Sequence, residues 1–290
     1  MKPPLRSLLL LLALVLVAAP ATLRALPDAE VKAGRDLVKR YADSIVGVEM
    51  VVTLKLTQGD RALPPRENKV DINGTVLDAS GLTVTSLAAF DPRVQFEALR
   101  ASMGAAGARL EISETDYKEV KLRLANNAEV PARVVLKDGD LDLAFIAPDP
   151  ESPAAKQAFN ALKLEDAAQG AVLNSYFVVS RAPKSLQRTP VVRPTLVVGI
   201  VEKPRLMFLV SDQQLGCPVF DAAGKVLGIS VQNLSSGRSS GLIVLPAADV
   251  AEIAKQAAVE AAKPPAPKPA AEETAPAKTP EPAVPPPAKP

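Results

Sequence analysis

Residues 209–230 read LVSDQQLGCPVFDAAGKVLGIS, and this stretch decides the fold. Two apolar runs, 207–210 and 226–231, flank a polar loop. The loop carries Gly216 and Pro218, residue types that set special backbone geometry. The pattern therefore predicts strands in the two apolar runs and a turn-rich loop between them.

The loop resembles the nucleophile loop of trypsin-like serine proteases, most closely that of the bacterial high-temperature-requirement (HtrA) type. In that family the loop reads Gly-Asn-Ser-Gly-Gly-Pro-Leu. The matching residues here are Gln213, Gln214, Leu215, Gly216, Cys217, Pro218 and Val219. The resemblance places Leu215 at the nucleophile position. Leucine has no group that attacks a carbonyl carbon, so we expect the loop to keep its scaffold without its chemistry.

A second segment, residues 70–85, reads VDINGTVLDASGLTVT and predicts a β-hairpin with its turn at 78–81. It resembles the family hairpin that leads into the catalytic histidine, and the resemblance places Ala88 at the histidine position. Alanine cannot accept a proton, and the whole sequence contains no histidine. The general base is therefore expected to be missing together with the nucleophile.

A third segment, residues 138–146, reads DGDLDLAFI and resembles the family segment that supplies the aspartate of the triad. The resemblance assigns this position to Asp142, with no histidine to orient. The three segments follow one another in the family's chain order. We therefore expect no catalytic residue, and a cleft for binding at Leu215, Gly216 and Cys217.

The resemblance covers residues 45–255 and implies an all-β fold of two antiparallel six-stranded β-barrels with a cleft between them. The β-branched runs that begin at residue 45 favour the same class. The chain is expected to cross between the barrels near 149–170. Apolar residues at helical spacing predict an N-terminal helix at 28–43 and a C-terminal helix at 247–262.

The remaining segments are predicted from local patterns. Residues 91–117 show no clear strand, only one helix near 94–102. Two apolar runs, 120–124 and 130–136, predict a second hairpin. Residues 181–194 are rich in arginine, lysine and proline and are predicted to form a loop. Its cations, Arg181, Lys184, Arg188 and Arg193, are interpreted either as a solvated surface or as a site for an acidic partner.

Composition excludes several chemistries. Hydrophobic residues make up 48% of the chain and aromatic residues 3%, so the core must be aliphatic. The absence of histidine removes imidazole catalysis and the commonest zinc ligand, and no cofactor or metal is expected. Asp138, Asp140 and Asp142 alternate as in a calcium loop, but Leu143 stands where that loop has glycine, which favours turn residues.

The single cysteine, Cys217, cannot form an internal disulfide. It lies two residues beyond the nucleophile position. A thiol without a histidine partner is mostly protonated at neutral pH. A structural thiol is therefore favoured over a nucleophile.

Residues 1–21 predict a secretory signal, with Lys2 and Arg6 before an apolar run at 8–17 and a small-residue cleavage site. An uncleaved anchor is the alternative. The protein is expected in the periplasm or outside the cell, with no membrane span after cleavage. Cleavage would leave 32 basic and 32 acidic residues, a balance that gives no reason to expect nucleic acid as a partner. The tail, residues 263–290, holds 11 of the 28 prolines and is expected to be disordered.

These observations favour an exported pseudoprotease that binds protein or extended peptide. An active protease of the same family or a cell-wall component is a candidate partner. The alternative is a serine-type endopeptidase with unrecognised or residual hydrolase activity. A third reading is a structural envelope protein that uses the fold as a spacer.

Overall fold

The computed structural model describes residues 26–93, 96, 109–235 and 238–264. The expected signal at 1–21, almost all of the expected tail and most of the expected helix near 94–102 lie outside these residues. Within the described ranges, no helix is both long enough and apolar enough to cross a membrane.

Thirteen strands are described, in two groups. The first group comprises β1 (Ile45–Gln58), β2 (Arg61–Ala62), β3 (Arg66–Val76), β4 (Thr83–Ser86), β5 (Leu110–Arg123), β6 (Glu129–Asp138) and β7 (Leu143–Pro148). The second comprises β8 (Ser175–Arg181), β9 (Pro190–Val201), β10 (Met207–Val210), β11 (Pro218–Phe220), β12 (Val226–Ser235) and β13 (Arg238–Pro246). Two α-helices, α1 (Asp28–Tyr41) and α2 (Ala247–Ala261), flank them.

Each group closes into an antiparallel six-stranded barrel. The first has the order β1-β3-β4-β7-β6-β5 and closes through the pairing of β5 with β1, while the short β2 lies beside β1. The second has the order β10-β13-β12-β11-β8-β9. The predicted all-β fold of two antiparallel barrels with an N-terminal and a C-terminal helix is therefore confirmed.

The barrels pack through a shared apolar core that contains aliphatic and aromatic side chains. Phe145 of β7 belongs to the same buried cluster as Phe177 and Phe220 of the second barrel. Helix α1 covers the second barrel, where Tyr41 stacks on Phe220 with ring centroids 4.6 Å apart. Helix α2 follows the second barrel, and its Ala261 carbonyl accepts a hydrogen bond of 2.8 Å from Arg133 of the first. Both ends of the fold are thus fixed to the barrels.

Two strands begin earlier than the local pattern predicts. β5 begins at Leu110 rather than near residue 120, because the long β1 offers it a partner from Gly47 to Gln58. β9 begins at Pro190, within the predicted loop. Its first five residues pair with β8 alone, since β10 pairs only with residues 197–201. Proline is tolerated at such an open edge because no donor is needed there.

Candidate functional site

Asp142 lies at the interface of the two barrels with none of its surface exposed. It directly precedes β7 and has a left-handed backbone (φ 56°). Its carboxylate accepts hydrogen bonds from Ser86 Oγ, from the Ala88 N–H at 2.6 Å and from the Gln232 N–H at 2.7 Å. Ser86 and Ala88 belong to the first barrel and Gln232 to the second, so one carboxylate joins both.

Ala88 occupies the position that the sequence assigns to the general base. It lies in a short 3₁₀ turn, Leu87–Ala89, directly after β4, and is 6% exposed. Its backbone N–H donates a hydrogen bond to Asp142. Its methyl side chain can neither donate nor accept a proton. The aspartate is therefore held by backbone and hydroxyl donors, and no imidazole is involved.

The loop that contains Leu215 is docked against the first barrel through Gly216. The Gly216 N–H donates to the Ser230 carbonyl at 2.8 Å, and its carbonyl accepts from Thr75 Oγ1 at 2.8 Å. Both backbone polar groups of Gly216 are therefore used within the protein. In the part of the chain that the structure describes, the Leu215 N–H makes no hydrogen bond.

The three residues expected to line the cleft differ in solvent exposure. Leu215 is partly exposed, whereas Gly216 and Cys217 are buried. The Cys217 side chain has 0% exposure, and burial raises the pKa of its thiol far above the ordinary value, an effect that Arg193 offsets only in part. The thiol is protonated at neutral pH and has no surface to present to a substrate.

The sequence placed Asp142 here but missed Ser86 and Gln232. Ser86 ends β4 two residues before Ala88, and a serine at that point in a sequence is only weak evidence for a hydrogen bond to a distant carboxylate. Gln232 acts through its backbone, which leaves no mark in the sequence. Asp138, the first of the alternating aspartates, accepts hydrogen bonds from the N–H groups of Asp140 and Leu141, which is the role of a turn residue.

Asp142 should make stability depend on pH. Burial raises its pKa from the ordinary 3.8 to about 6, although the donors Ser86, Gln232 and Ala88 oppose the shift. Between pH 4 and 6 the folded state therefore binds more protons than the unfolded state, and stability falls as the pH rises.

We expect the unfolding free energy of the wild type, relative to Asp142→Asn, to fall by about 2 kcal/mol from pH 4 to 7. Urea denaturation of both proteins across this range measures it. A difference that is independent of pH would contradict the assignment.

The comparison with protein-family models agrees with this architecture. The model of the trypsin-like peptidase domain family matches residues 72–229, which is more than half of the chain. A crystal structure of the MamO protease domain from Magnetospirillum magneticum (apo form) is similar with 17% sequence identity and a TM-score of 0.45, and the match covers 74% of this chain and 97% of that one. No curated protein matches the chain. From the family match, the chain belongs to the trypsin-like peptidase domain family.

Proposed function

We propose that this protein is an exported, catalytically inactive member of its family, of the HtrA type, and that its cleft binds extended polypeptide. The observation that carries the proposal is the occupation of the two reacting positions by Ala88 and Leu215, in a chain without histidine. The surrounding framework persists, since Asp142 still accepts the N–H of Ala88 and Gly216 still docks the loop. The two reacting side chains of the family are absent, whereas the hydrogen-bonded framework around their positions is retained.

Binding by strand addition fits this framework. A polypeptide in extended form pairs its main chain with exposed backbone groups and places alternate side chains in neighbouring pockets. The Leu215 N–H makes no hydrogen bond within the described residues, and its side chain is partly exposed. An apolar group at the former nucleophile position supports contact with an apolar side chain of the ligand.

The alternative, a serine-type endopeptidase that uses other residues, has less support. Ser86 and Ser230 are fully buried, and Ser86 donates to Asp142. Ser211 is exposed, but its Oγ accepts the Leu196 N–H at 2.9 Å. None of the three has a histidine to take its proton. Export is supported by residues 1–21, and a family relative or a cell-wall component remains the proposed partner class.

Binding is tested with a reduced and carboxymethylated polypeptide, labelled with fluorescein and followed by fluorescence anisotropy. We expect saturable binding that Leu215→Glu weakens about tenfold or more, because a charge would be buried against an apolar ligand. Val259→Glu is the matched control, since Val259 is 63% exposed on α2. Absence of binding, or an equal loss in both variants, would count against the proposal.

A further inference from the structure

The arginines of the predicted basic loop are structural. Arg181 donates to the carbonyls of Ile45 and Ala42, the latter at 2.7 Å. The Arg188 side chain is 7% exposed and pairs with Glu49 at 2.6 Å and with Asp71 at 2.8 Å. These contacts fasten residues 182–189 to the outer face of the first barrel.

A cavity of about 280 Å³ lies between this loop and the first barrel. Strands β1, β3 and β5 and Lys184 of the loop surround it. Its lining residues are Glu49, Met50, Val51, Lys69, Val70, Asp71, Glu119, Lys121 and Lys184. None of them belongs to the site of Ala88, Asp142 and Leu215, so the cavity is a separate feature.

The lining has a surplus of unpaired positive charge. Glu49 and Asp71 are already paired with Arg188. Lys121 pairs with Glu129 at 3.0 Å. Within the described residues, neither Lys69 nor Lys184 has a carboxylate at ion-pair distance. Lys69 and Lys184 can therefore contact a ligand. Among the described residues of the lining, Glu119 carries the one unpaired carboxylate that opposes their charge.

Glu119 also marks a backbone irregularity at the cavity. It has a left-handed backbone (φ 50°), and the pairing of β1 with β5 shifts register between Glu49 and Val51. Such bulges and left-handed non-glycine residues are found preferentially next to binding and active sites, where they redirect side chains. This irregularity is independent of the charge pattern.

We propose that this cavity binds an acidic extended segment of a partner protein. Two carboxylates of the segment contact Lys69 and Lys184, and an aliphatic side chain between them packs on Val51 and Val70. The apolar part of the lining favours such a segment over a small inorganic anion, which would leave Val51 and Val70 without contact. The proposal goes beyond polypeptide binding in the cleft and does not depend on it.

The test uses a fluorescein-labelled peptide Glu-Val-Glu-Val-Glu and its isostere Gln-Val-Gln-Val-Gln, titrated with the full protein. We expect the acidic peptide to bind at least tenfold more tightly, and added salt to weaken it. Lys69→Gln combined with Lys184→Gln should remove most of this preference. Glu119→Gln should tighten binding about threefold, because it removes the opposing charge.

Lys32→Gln is the control, since Lys32 is 81% exposed on α1 and pairs with Asp36. It should leave the affinity unchanged. Equal affinity for the two peptides, or equal effects of Lys32→Gln and the double variant, would overturn the proposal. The opposite signs expected for Glu119→Gln and the lysine variants separate a binding effect from a general loss of folding.

Discussion

Gly216→Ala is expected to lower the free energy of unfolding by about 3 kcal/mol or more. Gly216 has a φ of +74°, a conformation that costs an alanine about 1 kcal/mol. The added Cβ would also lie 2.5 Å from the Asn73 carbonyl oxygen and 3.2 Å from the Thr85 Cα. Both are backbone atoms of the first barrel, so relief of the clash requires the barrels to move apart.

Substitutions at two other glycines separate the cost of the backbone conformation from the cost of the steric clash. Gly59 has a φ of +58° and no atom within 4 Å of its added Cβ, so Gly59→Ala should cost about 1 kcal/mol. Gly139 also has open space and no positive φ, so Gly139→Ala should be neutral or slightly stabilising. Chemical denaturation followed by circular dichroism ranks the three. Equal effects would contradict the docking role of Gly216.

The all-β class was predictable from local patterns, whereas the two-barrel architecture followed from the resemblance to a known family. The turn at 78–81 predicts the hairpin of β3 and β4 from short-range features alone. The beginnings of β5 and β9 were not predictable, since Leu110 pairs with Gln58 and Pro190 with Arg181. The polar start of β5 becomes a strand because the distant β1 supplies its partner, and the proline-containing start of β9 becomes one because the preceding strand β8 does.

The position of the site was predictable from the sequence, but the hydrogen-bond partners of Asp142 were not. Asp142 could be located because an aspartate followed by an apolar strand resembles a known segment. Its donors Ser86 and Gln232 are 56 and 90 residues away along the chain. Gln232 donates through its backbone N–H, a group that every residue except proline has. The burial that raises the pKa of Asp142 follows only from the packing of the two barrels.

Hydrolysis is expected to be at least about 10⁶-fold slower than in an active serine protease, the loss that follows removal of nucleophile and base. Ala88 and Leu215 supply neither group. Cys217 cannot replace them, because its thiol is buried and its pKa is raised. A protease site without its triad retains at most about 10³–10⁴-fold acceleration over water, from binding and backbone donors.

Prolonged incubation of the protein lacking residues 1–21 with unfolded casein, beside its Cys217→Ala variant, tests this most directly. Gel electrophoresis should show intact casein with both proteins. Cleavage by the wild type that Cys217→Ala abolishes would contradict the account and identify Cys217 as a nucleophile. Equal cleavage by both that persists through repeated chromatography would contradict it as well, since it would require a catalytic site that uses neither Cys217 nor histidine.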